Sequence, residues 1–167
     1  RAPYRAVAAE AAPITPRLGF VKTPRWANMD RDAREAFGEL ADALGERMEE
    51  VELLADEAWE WHRLTMDVEL AINLAREWEH GRDRLSASLR ARIESGRAAR
   101  AYDYLRARAG VPALLASVTE LFEQQFDALV TPATFGTAPA GLESTGDPAF
   151  CSVWTLLGVP TLSLPLM

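Results

Sequence analysis

Two histidines, one cysteine, one lysine and seven serines are the residues from which this 167-residue chain could build a nucleophilic or metal-dependent centre. His62 and His80 fall on one predicted helix, five turns and about 27 Å apart along its axis, so they cannot share an ion. With a lone cysteine and no His-Glu pair in ligand spacing, no metal site is expected. His62, beside Trp59 and Trp61, reads as a partly exposed helix histidine. Cys151 lies in an apolar helical run and reads as a small buried side chain rather than a nucleophile. Being single, it excludes an intrachain disulfide. No serine sits in a G-x-S-x-G elbow, and the glycines form no phosphate cradle. The acidic groups Glu49, Glu50 and Glu52, and the trio Asp56, Glu57 and Glu60, follow solvated faces rather than a carboxylate pair for acid–base work. Lys22 is the sole lysine, so a lysine base has one candidate.

One stretch does have the character of a site. From Asp127 to Pro165 the pattern reads strand, long loop rich in Thr, Gly and Pro, short apolar helix, and strand. Such loops commonly build one wall of a pocket. Thr131 and Thr134 follow the first strand end and are read as pocket-rim groups. Ser144 to Pro148 reads as a turn feeding a helix, with Asp147 at the cap and Pro148 at the first helical position. A helix N-terminus beside a cleft lets the same carboxylate face a ligand.

The elements that must hold these residues can be read in order. Residues 1–16 carry three prolines and form an extended lead-in, with a helical turn at Tyr4 to Ala12. Residues 17–22 form a strand closed by Thr23-Pro24. A helix from Asp30 or Asp32, with Ala33, Phe37, Leu40 and Leu44 in 3.6 period, stops at Gly45. Residues 49–54 form a second strand, and this βαβ unit predicts parallel pairing with a right-handed crossover. A long helix then runs from Asp56 to His80-Gly81, with Arg63 and Asp67 paired one turn apart. Leu85, Leu89 and Ile93 mark a further helix capped by Gly96. Another starts near Arg97 with Ala101, Tyr102, Leu105 and Ala109 inward, and Gly110-Val111-Pro112 breaks it. Leu114, Val118 and Phe122 carry the helical pattern on to Phe126, before strands near 127–131 and 160–165. The fold class is α/β, helix-rich, in a single domain over 1–167.

Apolar residues make up 49% and charged residues 26%, the balance of a globular chain. The net charge of −7 gives the long-range field the wrong sign for nucleic acid or an anionic membrane, so neither is an expected partner. No run approaches the length of a spanning helix and no signal-peptide core opens the chain, which sets a reducing, cytoplasmic location as the expectation.

Taken together, Leu18-Gly-Phe-Val-Lys-Thr-Pro-Arg-Trp26, His62-Arg63 with Glu69-Leu-Ala71, and Leu85-Ser86 with Leu89-Arg90 and Ile93-Glu94 form an ordered set with two later segments. These are Asp127-Ala-Leu-Val-Thr-Pro132, and Trp154-Thr-Leu-Leu-Gly-Val-Pro160 with Ser163-Leu-Pro165. The set resembles the second half of an amidase signature hydrolase, over nearly all of Arg17 to Met167. The resemblance implies a mixed-sheet α/β fold and hydrolysis of carboxylic amides by a Ser nucleophile, a bridging Ser and a Lys base, with no metal or organic cofactor. It also implies that those three residues belong to the family's first half, since Lys22 falls in the second-half pattern. The expectation is an internal segment of an amidase domain, inactive alone, with a small amide as the partner of the full-length parent. Thr155 falls where the family often has Asn, and Asp147 lies near a pocket-shaping residue. With Thr131 and Thr134 they make up the substrate-binding candidates; no catalytic residue is assigned. Exposed sheet edges in such a segment predict self-association. The alternative is a non-enzymatic, helix-rich interaction module, with Trp59, Trp61 and Trp78 as candidate anchors.

Overall fold

Strand β1 (Leu18–Val21) is the middle of a three-stranded parallel sheet of order β2-β1-β3, with β2 at Met48–Val51 and β3 at Ala128–Val130. Leu18 aligns with Met48 on one side and Ala128 on the other, and Val21 aligns with Val51. The computed structural model describes residues 6, 9–11, 14–53 and 55–164. Around the sheet lie helices α1 (Arg31–Leu44), α2 (Ala58–Asn73), α3 (Ala75–Gly81), α4 (Ala87–Ala98), α5 (Ala101–Gln124) and α6 (Ala149–Leu157).

Alternation along β1 divides the core into two layers. Phe20 faces one layer, with Met29, Phe37 of α1 and Phe150 of α6, and its ring stacks on Phe37 at 5.6 Å. Val21 faces the other, with Val51, Ala58 of α2, Leu114 and Val118 of α5, and Val153, Trp154 and Leu157 of α6. Gly19 lies on this second side because a Cβ there would come within 2.7 Å of Leu129. The step from β1 to β2 carries α1 across the first face. The step from β2 back past β1 to β3 carries α2 to α5 across the second. Opposite steps with helices on opposite faces are what a single crossover hand produces.

The parallel βαβ unit, the Gly45 stop (φ 53) and the three strands follow the sequence pattern, with the second strand at 48–51 rather than 49–54. Leu54 and Pro165 lie outside the described residues, as do most of residues 1–13, of which Ala6 and Ala9 are helical. Over Val159 to Leu164 there is no strand. Pro160 has no N–H to give a ladder, and among the described residues the segment pairs with no strand, so Leu162 and Leu164 stand 84% and 60% exposed.

The helices depart from the sequence pattern at five points. The helix expected from Asp56 to Gly81 is two, divided at Leu74 (φ −103, ψ 20). α2 buries Ala58, Thr65, Asp67 and Ala71 while α3 buries nothing, so the axis breaks where its packing ends. Pro112 does not interrupt α5, which runs 24 residues through it; Ala107 before it and Leu114 and Val118 after it anchor both halves. Gly110 serves packing instead of breaking, because a Cβ there would meet the Trp61 ring at 2.3 Å. Gly96 is likewise internal to α4 and is not its cap. Tyr102 and Leu105, expected inward, are 66% and 63% exposed, since Ala107 sets the buried side of α5.

Candidate functional site

Parallel pairing sends the chain out of all three strands at the same edge of the sheet. Open α/β sheets bind ligands beyond the carboxyl ends of their strands, so this edge is the candidate site. It gathers Lys22 to Asp30 after β1, Glu52, Leu53 and Ala55 to Glu57 after β2, and Thr131 to Pro148 after β3.

The exits from β1 and β3 are stitched together. The Thr131 hydroxyl donates to the Val21 carbonyl (3.2 Å), and the Asp30 N–H donates to the Phe135 carbonyl (2.8 Å). Gly136 lies against the Asp30 side chain, whose carboxylate would stand 1.9 Å from a Cβ at that position and would have to swing aside. The Thr134 hydroxyl donates within the loop to the Gly136 carbonyl (2.8 Å). From α6, the Cys151 thiol reaches the Ala133 carbonyl at 3.4 Å. Cys151 is therefore exposed, against the expectation of burial, because Phe150, Val153, Trp154 and Leu157 occupy the inward stripe of that short helix.

Asp147 stands one residue before the capping position of α6, not at it as the pattern suggests. Pro148 is the capping position, α6 begins at Ala149, and the Asp147 carboxylate accepts the Ala149 N–H (2.9 Å). Thr155 is exposed, one turn beyond Cys151 on the outer stripe of α6. The structure thus brings Thr131, Thr134 and Cys151 to one loop, holds Asp147 at the adjoining helix end, and leaves Thr155 on the helix surface.

Lys22 is tied down. Its ammonium pairs with Glu50 and lies 5.6 and 5.4 Å from the ring centroids of Phe20 and Trp26. Two further cations reach the same edge, Arg25 from the turn after β1 and Arg63 from α2, both over Trp59. The sequence pattern gives Arg63 only a pairing with Asp67 and gives Arg25 no role, although Arg25 directly follows the Thr23-Pro24 turn that closes β1.

Farther along α2, Asp67 is buried and pairs with Arg92 of α4 at 2.7 Å. The pairing with Arg63 expected from helical spacing does not form, because Asp67 points into the α2–α4 contact while Arg63 turns to Trp59. Beside them His62 is half-buried and its pKa lies below the ordinary value. Burial is the main cause and the Arg92 guanidinium adds to it, while Asp67 pulls the other way. Among the described residues no three His, Cys, Asp or Glu side chains gather as metal ligands, and no helix is long and apolar enough to cross a membrane. A depression of about 530 Å³ runs along Pro112, Leu115, Ala116 and Thr119 of α5, away from the carboxyl edge.

No family model and no curated protein matches the chain. Among solved structures it is similar to a crystal structure of an amidase, with a TM-score of 0.72 and 23% identity over 90% of this chain. The chain spans 38% of that amidase's length. At this identity the likeness establishes an amidase-like fold.

Proposed function

We propose that these residues are scaffold and one wall of the substrate pocket in an amide hydrolase of the amidase signature type, whose nucleophilic serine, bridging serine and lysine base lie outside them. The likeness to an amidase fold over 90% of the chain carries this reading. The state of Lys22 supports it, since its ammonium is engaged by Glu50 and two aromatic rings. On this reading Thr131, Thr134, Asp147 and Thr155 face a small amide. The two loop threonines spend their protons on backbone carbonyls, which leaves oxygen lone pairs able to accept an amide N–H. No organic cofactor or metal enters the chemistry, and a reducing, cytoplasmic setting fits the single thiol.

The chain incubated with acetamide or benzamide is expected to release no ammonia. Release that is abolished by Lys22→Ala overturns the assignment of the base elsewhere. Co-expression with a polypeptide carrying the serine-rich half of an amidase is expected to yield a complex that hydrolyses amides.

One observation favours a second reading, a helix-rich interaction module without chemistry. Tyr102 and Leu105 near the start of α5, and Leu115 and Phe122 on a different side farther along it, are exposed large apolar side chains. A monodisperse, cooperatively folding chain that forms no complex with the amidase half would favour it.

A further inference from the structure

The turn after β1 and the start of α2 meet through one indole. The Arg25 guanidinium lies 4.3 Å from the Trp59 ring centroid, and that of Arg63 lies 5.8 Å from the same point. Both distances together keep the two charges within about 10 Å of each other, one Debye length at 0.1 M salt. Among the described residues neither arginine has a carboxylate partner, in a chain with 25 acidic residues. Nearby acids do not serve them: Glu57 is held by Arg106 (2.6 Å), and Glu60, one turn before Arg63, forms no ion pair with it.

At that separation and exposure the mutual repulsion of the two charges is weak, while an anion placed within reach of both would be attracted by each. Contact with a ring face uses the flat side of a guanidinium and leaves its N–H edge free to donate. Arg25 and Trp59 are both half-buried, so part of the freedom that a ligand would otherwise have to remove is already gone. The cluster also stands at the carboxyl edge of the sheet, where such folds take ligands.

We propose that Arg25, Trp59 and Arg63 form a binding site for a small oxyanion, a carboxylate or phosphate group held by the two guanidiniums beside the indole. The site stands on this geometry and is independent of the amide-hydrolase reading. Benzoate and inorganic phosphate are titrated separately into the full chain at constant ionic strength. The Trp59 indole N–H resonance, assigned by its loss in Trp59→Phe, reports binding. A saturable shift is expected with at least one probe; benzoate alone marks a carboxylate site, phosphate alone a phosphate site. Arg25→Gln and Arg63→Gln are each expected to weaken binding about tenfold or more. Arg34→Gln, on the exposed side of α1, is expected to leave it unchanged. Arg25→Lys, which keeps charge and stem but loses the fork, is expected to fall between wild type and Arg25→Gln. A shift that fails to saturate with either probe overturns the site, and so does equal binding by wild type, Arg25→Lys and Arg25→Gln.

Discussion

Asp67 has its carboxylate buried at 5% exposure, and what keeps it there is Arg92, 25 residues further along the chain. A buried charge needs a partner, and helical spacing offered Arg63 as a nearer one. The nearer one failed because a carboxylate turned inward cannot meet a guanidinium turned outward to Trp59. His62 inherits the consequence. Burial and the Arg92 guanidinium disfavour its imidazolium in the folded chain, so the unfolded chain takes up the proton first. Its contribution to stability is complete above the ordinary value of 6.5 and is lost as pH falls through the lower folded-state pKa. Urea unfolding between about pH 7 and 5 is therefore expected to show stability falling with pH, and less steeply in His62→Gln. Equal slopes for both proteins would refute that assignment. The histidine was legible in the sequence as a helix residue; its two charged neighbours were not, because one of them comes from another helix.

Among the elements, α2 and α4 approach most closely at Gly96. A Cβ on Gly96 would stand 1.9 Å from the Asp67 carbonyl oxygen and 2.4 Å from its carbonyl carbon. Backbone cannot swing aside as a side chain can, so Gly96→Ala must push the two helices apart. A loss of about 2–3 kcal/mol is expected from the urea midpoint. Gly38 on α1 gives the contrast, since a Cβ there meets nothing within 4 Å. Gly38→Ala is expected to stabilise by about 0.5–1 kcal/mol, because alanine restricts the unfolded chain and favours the helix. If both substitutions shift the midpoint in the same direction, the close approach of α2 and α4 is wrong. The sequence presents these glycines alike, as residues in or near a helical pattern. Only the neighbouring helix separates them, as the Trp61 ring does for Gly110 in α5.

At the scale of the molecule, three parallel strands leave two outer edges without a partner among the described residues. β2 carries Glu49 and Glu50 at its edge, charges that discourage pairing, whereas β3 reads Ala128-Leu-Val130. We therefore place the expected self-association at β3. Sedimentation velocity from micromolar to millimolar protein is expected to show growing oligomer, reduced by Ala128→Lys. A wild-type chain that remains monomeric throughout would end this expectation. The sequence by itself determined the βαβ unit, its parallel sense, the loop beyond Val130 and the turn that feeds α6. Each of these rests on local spacing, dihedral preference or a turn residue, which act within a few neighbours along the chain. The tertiary structure decided the partner of Asp67, the work of Gly96 and Gly110, the exposure of Cys151 and the meeting of Arg25 with Arg63 over Trp59. Those follow from how helices cross the sheet, and crossing is set by packing between residues tens of positions apart, which no local pattern encodes.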